Sequence, residues 1–306
     1  MRPMEASLTE RIENLKRERN AVILAHNYQV GEVQDIADFT GDSLQLSQQA
    51  ADTDADVIVF CGVHFMAETA AILSPGKTVL LPDKDAGCPM ADMITGEDVR
   101  ALKKKHPGAA VICYVNSTAE VKAESDCCCT SSNAVTVVNS FRDAPEILFV
   151  PDQYLGQYAA AQTGRDMIFW NGYCPTHVRI LASDLEKARQ AHPGAPVLAH
   201  PECTGPVRES ADAVLSTGGM CTFVRESDCK EFIIATEQGM LHRLQTDNPG
   251  KIFHSPNEVC VCPNMKRIRL EKVLWALEEM QFEVQVPVDI AERARMSIER
   301  MLTLSV

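Results

Sequence analysis

Short apolar runs alternate with longer stretches in which apolar residues recur every three or four positions. The runs cover residues 22–25, 57–60, 79–81, 111–113, 147–150, 167–169, 197–199, 232–235 and 252–253. Each is strand-sized, and the longer stretches between them carry helical spacing. Strand and helix taking turns in this way predicts parallel sheets flanked by helices, an α/β architecture. Residues 1–20 read as an amphipathic helix. Leu270, Val273, Leu274 and Leu277 mark another over 270–280, and 288–302 reads as helical too. These C-terminal helices are expected to pack back on the first part of the chain. Two helix starts carry capping-box signals, Thr95-x-x-Asp98 and Ser183-x-x-Glu186.

The pattern repeats. His106-Pro107-Gly108-Ala109 recurs 86 residues later as His192-Pro193-Gly194-Ala195, and each copy leads into a strand. Those strands end in the polar triplets Tyr114-Val115-Asn116 and His200-Pro201-Glu202. An earlier strand ends in His26-Asn27-Tyr28, 88 residues before Tyr114. A small hydroxyl residue then opens a helix-like stretch at Ser43, Ser131 and Thr217, again spaced by 88 and 86. Each copy closes on Cys-Pro: Cys88-Pro89, Cys174-Pro175 and Cys262-Pro263, spaced by 86 and 88. Several landmarks sharing one period predict an internal triplication: three similar α/β/α domains about a pseudo-threefold axis. The boundaries are 1–106, 107–192 and 193–268, followed by the terminal helices over 269–306.

Bulk properties narrow the function. At 306 residues the chain has ample length for a sizeable core. A net charge of −13, with no basic run longer than Lys103-Lys104-Lys105, speaks against nucleic-acid and anionic-membrane partners. No apolar run is long enough to cross a membrane, and the charged N-terminal stretch lacks a signal-peptide core, so a cytoplasmic location is expected.

Cysteine stands out, with twelve residues and no C-x-x-C pair. A cytoplasmic chain keeps thiols reduced, which leaves small buried hydrophobes or metal ligands. Functional groups of parallel sheets gather beyond the carboxyl ends of the strands, where all three Cys-Pro sites and all three polar triplets fall. Three converging thiolates suit a [4Fe–4S] cluster with one iron lacking a protein ligand, open for Lewis-acid chemistry. The plainer alternative is that Cys-Pro recurs only because a loop was copied. Cys260 competes with Cys262, but the flanking proline matches Cys262. Cys127, Cys128 and Cys129 are adjacent, so their side chains point apart and we take them as non-ligands. Ser43, Ser131 and Thr217 are either plain N-caps or, at helix N-termini, contacts for an anionic substrate. His177, three residues after Cys174, faces either the cluster or the substrate. His64, His106, His192, His242 and His254 lie outside the repeated positions and read as ordinary.

Taken together, His26-Asn27-Tyr28, Gly41-Asp42-Ser43, Gly87-Cys88-Pro89-Met90-Ala91, Tyr114-Val115-Asn116, His200-Pro201-Glu202-Cys203, Ser216-Thr217-Gly218-Gly219-Met220 and Cys262-Pro263-Asn264-Met265-Lys266 resemble the motifs of the quinolinate synthase family. The resemblance runs in order from about residue 20 to 280, although the Cys260-x-Cys262 end is shorter than the cysteine-rich terminus of some relatives. It implies three α/β/α domains and a [4Fe–4S] cluster on Cys88, Cys174 and Cys262. It implies condensation of iminoaspartate with dihydroxyacetone phosphate to quinolinate, with loss of phosphate and two waters, on the de novo route to NAD. His26, Ser43, Tyr114, Asn116, Ser131, His200, Glu202 and Thr217 are then substrate contacts, and His177 joins them if it faces the substrate. Glu202 is placed for general acid–base work, with Tyr28 and His26 as further proton donors or acceptors. The expected partners are the two small substrates and the iron–sulfur assembly machinery. An aconitase-type iron–sulfur hydro-lyase and a non-catalytic iron–sulfur protein are the alternatives. The triplets argue against the first, and the His, Tyr and Glu set against the second.

Overall fold

The computed structural model describes residues 7–305. Residues 1–6 of the expected N-terminal helix lie outside the described residues. The chain forms three four-stranded sheets flanked by helices. The first contains β1 (Ala21–His26), β2 (Phe39–Gly41), β3 (Val57–Cys61) and β4 (Thr78–Leu80). The second contains β5 (Ala110–Tyr114), β6 (Cys127–Cys129), β7 (Ile147–Val150) and β8 (Ile168–Phe169). The third contains β9 (Val197–Ala199), β10 (Ala213–Val214), β11 (Glu231–Ala235) and β12 (Ile252–His254). Every strand pairing within these sheets is parallel. The orders are β2-β1-β3-β4, β6-β5-β7-β8 and β10-β9-β11-β12, one topology three times over. The three similar α/β repeats expected from the sequence are therefore present. β3, β5 and β7 are buried along their whole length, as strands covered on both faces should be.

The strands fall in two compact units. One comprises residues through Gly87 together with Pro263–Val286 and holds the first sheet. Helix Leu8–Glu18 is opened by a capping box between Ser7 and Glu10. It packs on helix Leu270–Glu279, where Arg11 meets Glu278 at 2.5 Å. The chain beyond that helix runs antiparallel beside β4, with the Val284 N–H donating to the Val79 carbonyl at 2.8 Å. Asp83 accepts from Lys272 and lies 3.3 Å from Arg267.

The other unit comprises Cys88–Cys262 and Pro287–Val306 and holds the second and third sheets. Helix Val288–Thr303 buries Ala294, Ile298 and Met301 and packs against helix Ala119–Ala123 and β6 of the second repeat. Ser297 Oγ donates to the Lys122 carbonyl at 2.8 Å, and Arg293 pairs with Glu124 at 2.7 Å. The sequence reading placed both C-terminal helices on the first repeat; helix Leu270–Glu279 lies there and helix Val288–Thr303 does not. The cap expected at Ser183 also moves. Helix Ala182–Ala191 starts earlier, because the Asp184 carboxylate reaches back to the Leu181 N–H at 3.1 Å. The Thr95–Asp98 box forms as read. Among the described residues, no helix is long and apolar enough to cross a membrane.

Candidate active site

Where a parallel ladder stops, the residues that follow project past the sheet's carboxyl edge. Tyr114 is the last residue of β5, and Asn116 follows two residues on. His200 follows β9 directly, and Glu202 sits in the turn behind it. These ends meet within one unit. The Tyr114 hydroxyl donates to Glu202 Oε1 at 2.5 Å, and Asn116 Nδ2 approaches the same oxygen at 3.5 Å. His177 Nδ1 lies 2.8 Å from Glu202 Oε2, and the His177 and His200 rings stack at 4.7 Å. The Glu202 N–H donates to His200 Nδ1 at 3.3 Å, so a neutral His200 carries its proton on Nε2, 3.2 Å from Ser131 Oγ. On its other edge, His177 Nε2 meets Thr236 Oγ1 at 2.9 Å.

Glu202 and both histidines are buried. Burial works against ionising Glu202. His177, then His200 and the Tyr114 hydroxyl outweigh it, and the carboxyl is held far below the ordinary glutamate value. Asp152 goes the other way. Burial and then the Glu202 charge push it well above the usual carboxylate range. Two acids in one buried region are thus pushed in opposite directions.

The first repeat builds the same strand end in the other unit. His26 closes β1, and its Nδ1 accepts from the Tyr28 N–H at 3.1 Å, as His200 accepts from Glu202. The two rings meet edge-on at 4.6 Å. The hydroxyl residues are not the caps of their helices. Asp42 caps the helix that Ser43 begins, and Ser216 caps the helix that Thr217 begins. In the second repeat Asn133 is the cap position, and Ser131 lies in the preceding turn. Ser43 and Thr217 therefore stand in the first helical position beside N–H groups that have no partner within the helix.

The three Cys-Pro sites share their local structure. Each precedes a short 3₁₀ turn, at Ala91–Met93, His177–Arg179 and Met265–Arg267. Each is also tied by the same backbone hydrogen bond, made to the carbonyl two residues before the cysteine. The donors are the N–H of His64 to Ala86, of Gln153 to Gly172 and of Gln238 to Cys260, at 2.8, 2.9 and 3.0 Å. Of the twelve cysteines, seven are buried and Cys229 is exposed, whereas Cys88, Cys174 and Cys262 stay half-buried together with Cys221, which lies in helix Thr217–Glu226 outside the Cys-Pro loops. Burial pushes the Cys88 thiol up to about 12, and the neighbouring Cys262 adds to that. Cys174 is raised by burial, then by Glu202 and Cys88. Three half-buried thiols, with Cys88 close enough to feel both Cys174 and Cys262, are a donor set suited to cationic iron. The Cys174 sulfur, a His177 nitrogen and a Glu202 oxygen also lie within 4.8 Å of one another. Cys260 is fully buried, with its sulfur turned to the Thr176 carbonyl at 3.9 Å. Cys127, Cys128 and Cys129 are all buried in β6, where Cys128 is paired with Cys113.

The sequence profile described as Quinolinate synthetase A protein matches residues 10–303. The chain belongs to this family. A quinolinate synthase of Dehalococcoides mccartyi is 56% identical over 298 residues, covering 97% of this chain and 98% of the relative. One from Methanosarcina barkeri is 54% identical over 302 residues, 99% of each chain. One from Geobacter metallireducens is 54% identical over 298 residues, 97% of this chain and 98% of the relative.

In this member of the quinolinate synthetase family, the structure joins Tyr114, Asn116, Ser131, His177, His200 and Glu202 into one hydrogen-bonded and ion-paired group. The loops after β7 and β11 carry further residues that the repeated landmarks do not include. Asp152 stands two residues past β7 and Glu237 two residues past β11, an offset of 85. Asp152 caps the helix that follows, accepting from the N–H groups of Tyr154 and Leu155, and Glu237, one residue before its helix's cap position, accepts from the Gly239 N–H. Glu237 Oε1 also accepts from the Cys262 N–H at 3.0 Å. The signal that would have found them is an acid two residues past the corresponding strand in both repeats.

Proposed function

We propose that this chain is a quinolinate synthase of NAD biosynthesis, condensing iminoaspartate with dihydroxyacetone phosphate and releasing phosphate and two waters. The observation that carries the reading is Glu202. It is a buried carboxylate kept ionised by His177, His200 and Tyr114, in the same unit as three half-buried Cys-Pro thiols. Cys88, Cys174 and Cys262 would hold a [4Fe–4S] cluster, which supplies a Lewis-acidic iron when bound.

The chain's own residues divide the remaining work. Ser43 and Thr217 offer hydroxyls at helix N-termini, where the helix dipole favours the substrate's carboxylates and phosphate. Ser131, His200, Tyr114 and Asn116 supply hydrogen bonds around the reacting carbons. His177, held between Thr236 and Glu202, presents an imidazole to the same space. Glu202 removes the proton for carbon–carbon bond formation and returns protons during dehydration. His26 and Tyr28, which occupy the matching strand end of the first repeat, contribute further substrate contact and proton transfer. The same reading carries a cytoplasmic enzyme loaded by the iron–sulfur assembly machinery.

The test is direct. The anaerobically purified protein is supplied with dihydroxyacetone phosphate and iminoaspartate generated in place. Quinolinate is expected. Iron-replete protein that makes none would sink the reading.

A further inference from the structure

The third repeat holds a second cluster of metal-binding side chains that the proposed chemistry does not use. His192 ends helix Ala182–Ala191, Glu231 opens β11 and His254 closes β12. Glu231 Oε2 lies 3.4 Å from His254 Nε2 and 3.8 Å from His192 Nδ1. The two imidazoles stack with centroids 3.4 Å apart and planes 15° from parallel. One donor atom from each of the three residues falls within 4.8 Å of the other two.

The internal repeat shows what the fold itself requires at this place. In the first repeat, Asn20 Nδ2 donates to Asp56 Oδ2 at 2.9 Å. In the second, His106 Nδ1 lies 3.2 Å from Glu146 Oε2. Each pair pins the chain entering the first strand, β1 or β5, to the start of the third, β3 or β7. Each needs two side chains, and the third position is aliphatic. Strand register identifies that position: Val79 beside Ile58, Ile168 beside Leu148, and His254 beside Ile233. Only the third repeat puts an imidazole there. His254 Nε2 is buried and makes no hydrogen bond. A plain pinning role leaves that nitrogen unexplained.

We propose that His192, Glu231 and His254 form a binding site for a divalent transition cation of the zinc class, separate from the cysteines. Two imidazoles and one carboxylate are a common zinc donor set, with a fourth position left for water. Ligand atoms about 2.0–2.1 Å from a tetrahedral zinc lie roughly 3.3–3.4 Å apart. The observed 3.4 and 3.8 Å separations are close to that spacing, and the stacked rings must turn out of parallel for one cation to lie in the plane of both. The side chains of His192, Glu231 and His254 are 31%, 46% and 21% exposed, so a cation enters from solution. Once bound it ties together a helix end, the start of a central strand and an edge strand.

The test uses the anaerobically purified, iron-loaded protein, dialysed against buffered zinc. Bound zinc is counted by mass spectrometry, and its ligands are read at the zinc absorption edge, where the iron does not interfere. The expected result is one zinc per chain, with nitrogen and oxygen neighbours at about 2.0–2.1 Å and no sulfur shell. His254→Ile installs the residue of the second repeat. It should weaken zinc binding by more than the roughly 10–100-fold that losing an outer-shell partner costs. Glu231→Gln should do the same and serves as the second arm if His254→Ile fails to fold. Iron content should stay at the parent level in both. A sulfur shell at about 2.3 Å would place the zinc on the cysteines and overturn the proposal. Absence of bound zinc, or parental affinity in both variants, would overturn it equally. The zinc count is independent of quinolinate formation, so failure of one reading leaves the other standing.

Discussion

Glu202→Gln isolates the charge at the centre of the site. The side chain keeps its size, but an amide has one acceptor oxygen where a carboxylate has two. Tyr114 and His177 engage opposite oxygens, at 2.5 and 2.8 Å. One of them must therefore face the amide NH₂. A hydrogen bond to a charged group is worth about 1.5–3 kcal/mol, so the loss is local and smaller than the stability of a domain. Catalysis should suffer more. A positioned general base contributes roughly 10²–10⁴-fold in rate, or about 2.7–5.4 kcal/mol at 1.36 kcal/mol per tenfold. The variant should keep its iron, its fold by circular dichroism and its affinity for a dicarboxylate analogue, and lose that factor in turnover. Quinolinate is measured by chromatography under strict anaerobiosis, with iminoaspartate generated in place. Because its neighbours hold the Glu202 carboxyl far below the ordinary value, the base form persists as pH falls to about 4.3, where a free glutamate is half protonated. Any acid limb above that pH in the parent belongs to another group. Turnover within about threefold of the parent would refute the assignment and turn attention to Tyr28 and His26.

Ser43→Ala and Thr217→Ala should weaken substrate binding by about ten- to a hundredfold with helix stability intact. Asp42→Ala and Ser216→Ala should instead cost about 1 kcal/mol of stability, because those side chains are the caps. Equal effects in both pairs, read by calorimetry and analogue binding, would contradict the separation. Cys88→Ser, Cys174→Ser and Cys262→Ser should each lose iron, while Cys260→Ser retains it; the reverse result at 260 and 262 would move the third ligand. Asp83→Asn should destabilise by about 1 kcal/mol at pH 7, since its cationic partners are a third or more exposed. Burial opposes ionisation of Asp83, but Lys272, the Asp85 N–H and Arg267 outweigh it and lower its pKa. That contribution is complete above the unfolded value of about 3.9 and is lost as pH falls through the lower folded value. Parent and variant denaturation curves should therefore converge in acid.

The long strands and the Cys-Pro loops were legible because they are carried by contiguous apolar runs and by a period that recurs three times. β2, β6 and β10 were not. At two or three residues each they are too short to show any alternation, and they exist because a neighbouring first strand offers its edge. Ser43 and Thr217 were recognised by period, but their place one residue inside the helix depends on which neighbour caps, and Asp42 and Ser216 compete for that role. Nothing in the repeat singled out His177, whose counterparts are Ala91 and Met265. Its role is visible only once the loop after β8 brings it to Glu202. His192 and His254 looked ordinary for the same reason: their meeting depends on strand register across 62 residues.

The chain leaves the first unit between Gly87 and Cys88, returns to it at Pro263 and departs again after Val286. This threading sets an order on synthesis. Segments usually fold as they emerge, N-terminal first. Here the first sheet emerges early but lacks helix Leu270–Glu279, which packs on β3 and on helix Leu8–Glu18, until both later sheets have been made. The oldest part of the nascent chain is thus the part that waits. A chain released after Cys262 would carry all three cysteine loops and still leave β3 and helix Leu8–Glu18 without the helix that packs on them, a target for chaperones and proteases.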